Sequence, residues 1–206
     1  MSGIPLILFA KAPVAGHVKT RLCSDCSPEQ AASIASILLR ASLRTAVQHW
    51  PDQVVLAAWP DTSNTSLKKL AHEFNVPLVA QCGADLGEKM HNAMQQAGFP
   101  CAVMGADAPH ISRDSLVQAH QILQDGSNAI GPSTDGGYYL IGLGKSQPVI
   151  FKNIEWGSER VLEPTLKRAN FLLLAELTDI DYWSDVLTLA ASLPELKQYL
   201  QAQHLS

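Results

Sequence analysis

Short apolar runs alternate with longer segments of helical periodicity along almost the whole chain. Strands are predicted at 5–10, 53–59, 77–81, 101–107, 128–133, 137–143 and 171–177. Helices are predicted at 28–49, 64–74, 85–98, 112–124 and 158–169, with a helical tail from about Trp183. Because strands and helices take turns in this way, the pattern favours an α/β fold in which helices cover both faces of a mainly parallel sheet.

The size and composition of the chain agree with one folded domain over residues 1–206. A domain usually has roughly 100–200 residues, and the chain has 206. Hydrophobic residues make up 47% and charged residues 17%, which is enough apolar material for a core and too little charge for disorder. The net charge of −4 argues against a general nucleic-acid-binding protein, whose surface is usually basic.

No stretch of the sequence has the features of a membrane or export signal. No apolar run reaches the ~18 residues that a transmembrane helix needs, and the N-terminus lacks the pattern of a signal peptide. We therefore expect a cytoplasmic protein without a membrane span. Cys23 and Cys26 lack a second close cysteine pair that would complete a zinc site, so reduced thiols are favoured over metal binding or redox chemistry.

The predicted sheet also indicates where a ligand would bind. In open α/β sheets, ligands bind in the crevice beyond the carboxyl ends of the strands. Four loops leave predicted strands at that edge and carry polar or glycine residues: 10–22, 82–88, 105–112 and 132–138. These loops supply most of the candidate functional residues.

The first loop combines three cations with a glycine. Lys11, Lys19 and Arg21 can neutralise phosphate oxygens, and Gly16 permits a tight turn or a close approach of the backbone to a ligand. The loop matches neither GxxxxGK[ST] nor GxGxxG. We favour phosphate binding over the alternative of a solvated basic loop, because the loop follows a strand at the ligand-binding edge of the predicted sheet.

A carboxylate ends the predicted strand 101–107. Asp107 is well placed there to hold a divalent cation, since Mg²⁺ prefers one or two protein carboxylates together with phosphate oxygens and water. The alternative is an aspartate that forms a turn by bonding its own backbone. A second metal ligand could come from Asp181, which lies with Asp179 and Asp185 in a segment that otherwise indicates the start of a helix.

Two further segments have both a functional and a structural interpretation. Asp135 and Gly136 belong to an Asp-Gly-Gly segment that is typical of a hairpin turn, yet Asp135 could also bind a hydroxyl group or the metal. Asp85 is a good cap for the helix 85–98, and the free amide groups at a helix start can bind a ligand. Capping is the stronger interpretation of Asp85.

Taken together, these motifs resemble those of a known family. FAKAPVAGHVKTRL, DLGEKM, MGADAP, GPSTDGGYYLIGL and DIDYWSD follow one another as they do in the DUF2064 family, and the resemblance spans residues 4–186. Members of this family are described as glycosyltransferases with the nucleotide-diphospho-sugar transferase (GT-A) fold. The resemblance implies a Rossmann-like, three-layer α/β/α domain, similar in plan to the guanylyltransferases that make molybdenum cofactor dinucleotides and phospholactate-guanosine intermediates.

The motifs and the resemblance together assign roles to individual residues. In the related enzymes, the first loop holds the nucleotide phosphates, and an aspartate after a central strand holds Mg²⁺. The candidate catalytic residues are Asp107 and Asp135. The candidate nucleotide- and phosphate-binding residues are Lys11, Gly16, Lys19, Arg21, Asp85 and Gly136. The candidate ligands of Mg²⁺ (or Mn²⁺) are Asp107 and Asp181.

The predicted function is metal-dependent glycosyl transfer from a nucleotide-sugar donor to an acceptor that the sequence does not identify. The first alternative is a nucleotidyltransferase, in which a substrate phosphate attacks the α-phosphate of a nucleoside triphosphate and pyrophosphate leaves. Both reactions use the same cations and metal. A non-catalytic nucleotide-binding module is a further alternative, but such a protein would not need Asp107. A metal-dependent hydrolase is less favoured, because no nucleophile or base for it is evident.

Overall fold

The computed structural model describes residues 3–205, in which seven strands and seven helices largely follow the predicted alternation. The strands are β1 (Leu6–Lys11), β2 (Val54–Trp59), β3 (Leu78–Ala80), β4 (Cys101–Gly105), β5 (Ala129–Pro132), β6 (Tyr138–Leu143) and β7 (Leu172–Leu173). The helices are α1 (Pro28–His49), α2 (Thr65–Glu73), α3 (Leu86–Ala97), α4 (Arg113–Gln124), α5 (Leu162–Leu166), α6 (Trp183–Ala190) and α7 (Pro194–Ala202). Two short 3₁₀ helices lie at Thr20–Ser24 and Pro148–Phe151.

The strands form one sheet in the order β3-β2-β1-β4-β6-β5-β7. β6 runs antiparallel to its neighbours β4 and β5, whereas the other neighbouring pairs are parallel. The prediction of a mainly parallel sheet is confirmed. β1 lies between β2 and β4. The chain therefore adds β2 and β3 on one side of β1, and then crosses over to add β4 on the other side. That arrangement creates a topological switch point between the carboxyl ends of β1 and β4, where ligands bind in open α/β sheets.

Helices cover both faces of the sheet, because strand side chains alternate in direction and both sets are apolar. α1, α2 and α4 pack on the face that buries Leu6, Leu8 and Leu56. α3 and α5 pack on the opposite face, which contains Ile7 and Ala57. The predicted α/β/α layers are thereby confirmed. α6 and α7 pack on the outer side of α1, and none of the helices in the described part of the chain combines the length and apolar character needed to cross a bilayer.

Local sequence signals set the starts of the long helices. Ser27 caps α1: its hydroxyl accepts a hydrogen bond from Gln30 N, and the Gln30 side chain accepts one from Ser27 N. Pro28 occupies the first helical position, where its missing N–H loses no hydrogen bond. Ser112 caps α4 by accepting a hydrogen bond from Ser115 N. As a result, α1 begins at the predicted residue and α4 begins one residue after the predicted one.

The predicted helix over 158–169 is wrong in extent, because α5 covers only Leu162–Leu166. The residues before it form a loop whose end is fixed by the Gly136 carbonyl, which accepts a hydrogen bond from Leu162 N at 2.9 Å. Pro164 lies in the first turn of α5, where backbone N–H groups have no partner inside the helix. A contact with a distant hairpin therefore sets the start of this helix.

The predicted strand over 171–177 is also wrong in extent. β7 pairs with β5 over two residues, and the ladder stops where β5 reaches Pro132, which has no N–H to donate. One further bridge joins Ser133 to Leu177. The tail is helical as predicted, but it is divided into α6 and α7.

Candidate active site

A cavity of about 900 Å³ opens at the carboxyl edge of the sheet, at the switch point between β1 and β4. Its walls include the loop after β1, the loop after β4, the turn between β5 and β6, and segment 178–185. Residues of α3 and of segment 156–161 complete them. Three of the four loops selected from the sequence therefore meet here, and the fourth contributes Leu86.

A buried lysine joins the loop after β1 to the loop after β4. Lys19 Nζ lies 3.0 Å from Asp107 Oδ1 and 3.4 Å from Asp181 Oδ1, and it donates a hydrogen bond to the Ile180 carbonyl at 2.7 Å. The Lys19 side chain is 7% exposed, whereas that of Asp107 is 55% exposed. The ammonium group is therefore held inside the cavity wall, while the aspartate remains open to solvent.

The neighbours of Lys19 keep it charged. Burial alone would lower the pKa of this lysine, but Asp107 and then Asp181 outweigh that effect and raise its pKa above the ordinary value. Its backbone adopts the left-handed conformation with a φ of 46°, which is uncommon for a residue other than glycine. Such a conformation persists where surrounding contacts over-determine it, and the ion pairs of the ammonium group are contacts of that kind.

Arg21 and Asp181 form a second ion pair in the same wall. Arg21 Nη1 donates to Asp181 Oδ2 at 2.5 Å, and the guanidinium lies 5.7 Å from the centre of the Tyr182 ring. Both oxygens of Asp181 are therefore engaged by cations, Oδ1 by Lys19 and Oδ2 by Arg21. The predicted metal ligand Asp181 thus holds two of the predicted phosphate-binding residues.

Asp179 is a carboxylate that lines the cavity without a partner. It is half-buried, and within the described residues it makes neither a hydrogen bond nor an ion pair. Burial first, and then the charges of Asp135, Asp107 and Asp181, raise the pKa of Asp179 to about 7. Asp179 and Asp181 flank the buried Ile180, and both line the cavity. This spacing of two is the sequence signal that points to Asp179, which was not among the predicted site residues.

Asp135 is held in a tight turn between β5 and β6, as the Asp-Gly-Gly pattern predicts. Its Oδ1 accepts hydrogen bonds from the Ser133 hydroxyl at 2.6 Å and from Gly137 N at 2.9 Å. Asp135 lines the cavity, and its Oδ2 accepts no hydrogen bond within the described residues. One oxygen therefore fixes the orientation of the carboxylate and leaves the other available to a ligand.

Three of the predicted nucleotide-binding residues do not line the cavity: Gly16, Asp85 and Gly136. Gly16 lies in an exposed turn of the first loop. Asp85 caps α3, since its Oδ1 accepts a hydrogen bond from Glu88 N at 2.8 Å. Asp85 therefore has the capping role that the sequence favours, and the structure does not bring these three residues to the cavity.

Gly136 supports one wall of the cavity from outside. Its φ is +83°, and a Cβ atom at this position would lie 2.2 Å from the Glu159 carbonyl oxygen. The Gly136 carbonyl also accepts the hydrogen bond from Leu162 N. The turn after β5 and the segment before α5 are therefore packed backbone to backbone, and this packing holds segment 156–161 against the cavity.

Two further lysines approach the cavity from the face of the sheet that α3 covers. Lys11 and Trp59 are partners in the β1–β2 register, and strand alternation points them to the same face as Ile7 and Ala57. Lys89, in the first turns of α3, places its Nζ 3.4 Å from the centre of the Trp59 ring. Within the described residues neither lysine pairs with an acid, so both charges are available to an anionic ligand. Lys89 was not among the predicted site residues.

Trp156 packs its indole against the start of α3, where Gly87 leaves room for it. A Cβ atom on Gly87 would lie 2.6 Å from the indole ring. The indole Nε1 is buried and has no hydrogen-bond partner within the described residues. Because Trp156, Ser158 and Glu159 all line the cavity, this side combines an aromatic ring with polar groups.

The acids at the cavity do not form a closed metal site by themselves. Within residues 3–205, no three His, Cys, Asp or Glu side chains converge where they could hold one metal ion. Asp107, Asp135 and Asp181 are nevertheless close enough to Asp179 to raise its pKa. The cavity is therefore rich in carboxylates, and the buried Lys19 ammonium lies between two of them, Asp107 and Asp181.

Solved structures share this fold. A protein from Desulfovibrio desulfuricans, provisionally named nucleotide-diphospho-sugar transferase, has 29% identity and a TM-score of 0.83, over 98% of this chain and 96% of its own. Rv0371c from Mycobacterium tuberculosis, in complex with manganese, has 16% identity and a TM-score of 0.58, over 93% of this chain and 100% of its own. CMP:2-keto-3-deoxy-manno-octonic acid synthetase, complexed with CTP, has 11% identity and a TM-score of 0.59, over 94% and 99%. The last two are similar in fold alone.

No curated protein matches the chain in sequence. The family model described as "Uncharacterized protein conserved in bacteria (DUF2064)" matches residues 42–158, which is more than half of the chain. That segment contains Asp107 and Asp135, and the match confirms the resemblance that the motifs indicate. The chain therefore belongs to the DUF2064 family of bacterial proteins.

Proposed function

We propose that the protein is a metal-dependent glycosyltransferase that uses a nucleotide-sugar donor. The observation that carries this proposal is the meeting of Lys19, from the loop after β1, with Asp107, from the loop after β4, in the wall of a cavity of about 900 Å³. The cavity has the size of a small-molecule site and lies where open α/β sheets bind nucleotides. The name of the Desulfovibrio desulfuricans relative supports the same class of reaction.

Mg²⁺ or Mn²⁺ fits the donor set of the cavity. Both ions prefer carboxylate, phosphate and water oxygens, and the Lys19 ammonium marks a point between Asp107 and Asp181 where positive charge is stabilised. We infer that Asp107 holds the ion together with a carboxylate from Asp181 or from Asp179, which has no partner of its own. Two carboxylates suffice, because phosphate oxygens and water complete the coordination of Mg²⁺. The manganese complex of Rv0371c supports this class of ion.

The cations around the cavity would bind the diphosphate of the donor. Lys11 and Lys89 lie beside Trp59 and have no acidic partner within the described residues. When bound, the metal ion neutralises charge on the leaving nucleoside diphosphate, and the side chains of Lys11, Lys19, Lys89 and Arg21 stabilise the same charge. The remaining predicted nucleotide-binding residues shape the backbone near the cavity without lining it: Gly16, Asp85 and Gly136.

Asp135 has the free oxygen expected of a general base. In glycosyl transfer to a hydroxyl acceptor, the acceptor oxygen forms a bond to the sugar carbon while the bond from that carbon to the phosphate oxygen breaks. The electron pair of the broken bond leaves with the diphosphate, and the acceptor proton needs a base. The Ser133 hydroxyl and Gly137 N hold Oδ1 of Asp135, which leaves Oδ2 to accept that proton.

Nucleotidyl transfer is a second candidate, and one observation favours it. CMP:2-keto-3-deoxy-manno-octonic acid synthetase, complexed with CTP, shares the fold over 94% of this chain. When the nucleophile is a substrate phosphate, it is already ionised and needs no base. The two candidates therefore differ in their need for Asp135.

A mass-spectrometric screen of nucleotide sugars and nucleoside triphosphates, with Mg²⁺, Mn²⁺ or EDTA, tests the proposal. We expect a nucleotide sugar to be consumed, with release of its nucleoside diphosphate, only when the metal is present. Asp107→Asn should abolish this turnover, whereas Asp125→Asn, at an exposed position after α4, should leave it unchanged. Release of pyrophosphate from a nucleoside triphosphate would identify nucleotidyl transfer instead. Binding of nucleotides without metal and without turnover would indicate a binding module.

A further inference from the structure

We propose that Lys19 determines which ligands the cavity accepts: its ammonium occupies the cation position between Asp107 and Asp181, so a divalent ion binds there tightly only together with a phosphate-bearing ligand. The proposal rests on the proposed function in taking the cavity as a site for a metal ion and a diphosphate. It adds that the metal-free site carries its own cation, and that this cation weakens the binding of the free metal ion.

The first step is the position of the ammonium. Three oxygen atoms face Lys19 Nζ, at 2.7 Å from Ile180, 3.0 Å from Asp107 and 3.4 Å from Asp181. Lysine has three N–H donors, so the number of oxygens equals the number of donors. With a side chain that is 7% exposed, the ammonium is stabilised by these groups and little by water. The Lys19 ammonium therefore takes the place of a metal ion, with a single positive charge.

The second step is competition for the carboxylates. A divalent ion on Asp107 would lie within a few ångströms of the ammonium, and like charges at such a distance repel strongly where solvent screening is weak. The ion must therefore displace Lys19 from Asp107. A buried charge that loses its partners is destabilised, so free metal ion alone binds at a disadvantage.

The third step concerns the groups that the Lys19 ammonium contacts after the metal ion has taken its place. A diphosphate bound with the metal ion supplies new negative charge in the same cavity, and the flexible four-carbon stem of Lys19 lets the ammonium turn from the carboxylates to the phosphate oxygens. The disadvantage of free metal then disappears. Binding of the metal ion and of the diphosphate is consequently coupled, and each raises the affinity of the other by the same factor. Lys19 selects the metal–diphosphate pair over the metal alone.

The test measures binding of Mn²⁺ by electron paramagnetic resonance, with Mn²⁺ alone and with Mn²⁺ plus inorganic pyrophosphate. Lys19→Met should bind Mn²⁺ alone about tenfold more tightly than the wild type. A tenfold change in affinity is the same change in free energy as a charge interaction that shifts a pKa by one unit. It should also lose most of the gain in Mn²⁺ affinity that pyrophosphate gives the wild type. Lys145→Met, which removes an exposed lysine outside the cavity, should behave as the wild type.

Two results would overturn the proposal. One is that Lys19→Met binds Mn²⁺ alone no more tightly than the wild type. The other is that Lys145→Met shows the same gain, because loss of net charge would then explain it. Lys19→Arg keeps the positive charge and should keep the weak binding of Mn²⁺ alone. Thermal melting of each variant shows whether it folds.

The wild-type protein offers a second measurement that needs no folded variant. The nitrogen-15 resonance of the buried Lys19 ammonium should stay in place when Mg²⁺ alone is added and should shift when Mg²⁺ and pyrophosphate are added together. A full shift with Mg²⁺ alone contradicts the proposal. Failure of every nucleotide sugar to react would overturn the proposed function but leave these binding results intact. Absence of metal binding under all conditions would overturn both.

Discussion

The Lys89 ammonium lies 3.4 Å from the centre of the Trp59 ring, so a cation from α3 rests against an aromatic side chain at the end of β2. Such contacts contribute about 0.5–2 kcal/mol, depending on how far the cation is removed from water. The indole orients Lys89 without neutralising it, because Trp59 carries no charge. Both residues line the cavity, so Lys89 offers its full charge from a fixed position.

We expect Lys89→Met to weaken the binding of Mg²⁺–pyrophosphate by about tenfold, the loss of one charge-assisted contact of roughly 1.4 kcal/mol. The variant should also show a smaller dependence of affinity on salt, because one ionic contact is missing. Isothermal titration calorimetry at low and high salt measures both quantities. Lys145→Met is the matched control, since its side chain is exposed and lies outside the cavity. Unchanged affinity in Lys89→Met would remove Lys89 from the site.

Asp135→Asn should lower kcat by about 10²- to 10⁴-fold with little change in KM, because the amide keeps the shape of the side chain and cannot accept the acceptor proton. The Asn oxygen can still receive the hydrogen bonds from the Ser133 hydroxyl and Gly137 N, so the turn should persist. Initial-rate kinetics with the substrate found in the screen measure the effect. Asp125→Asn serves as the control. An unchanged kcat would show that Asp135 is not the general base.

The stability of the metal-free protein should fall with rising pH because of Asp179. Folding raises the pKa of this carboxyl from 3.8 to about 7, so the folded state binds more protons between those values. Its contribution to the free energy of unfolding is therefore fully present below the ordinary pKa and is lost as the pH rises toward 7. In buffer with EDTA, Asp179→Asn should melt at a higher temperature than the wild type at about pH 8 and at the same temperature at about pH 4. Equal Tm differences at both pH values would contradict the assignment.

Gly136→Ala should destabilise the protein more than Gly126→Ala does. Both glycines have a positive φ, of +83° and +75°, which costs an alanine about 1–2 kcal/mol. A Cβ atom at Gly136 would also lie 2.2 Å from the Glu159 carbonyl oxygen, whereas one at Gly126 would meet nothing within 4 Å. We expect an additional loss of at least ~1 kcal/mol at Gly136, measured by urea unfolding. Equal losses at the two positions would show that segment 156–161 moves aside without cost.

The sequence predicts those parts of the fold that residues close together in the chain determine. Ser27 and Ser112 begin their helices because capping depends on residues that are neighbours in the chain. The start of α5 depends instead on the Gly136 carbonyl, and no pattern within 158–169 reports a contact with a distant turn. β7 is short for a similar reason, since the residue that interrupts it, Pro132, belongs to the partner strand.

The sequence predicts several of the residues that line the cavity, among them Lys19 and Asp107, but few of the contacts between them. Lys19 and Asp107 both follow parallel strands, and the topology rule places both at one edge of the sheet. That rule does not pair Lys19 with Asp181, which follows an irregular segment after β7. Lys89 was not predicted, because a lysine on a helix usually faces solvent. Its position at the cavity depends on a contact with Trp59, which belongs to strand β2.

The ion pairs of Asp181 with Lys19 and Arg21 connect an early loop of the chain to a late one. Synthesis proceeds from the N-terminus, and a chain begins to fold while it is being made. Lys19 and Asp107 therefore leave the ribosome well before Asp181, and until segment 178–185 follows, the Lys19 ammonium lacks two of its three oxygen partners. A nascent chain at that stage can form most of its sheet, yet its cavity is still missing a wall.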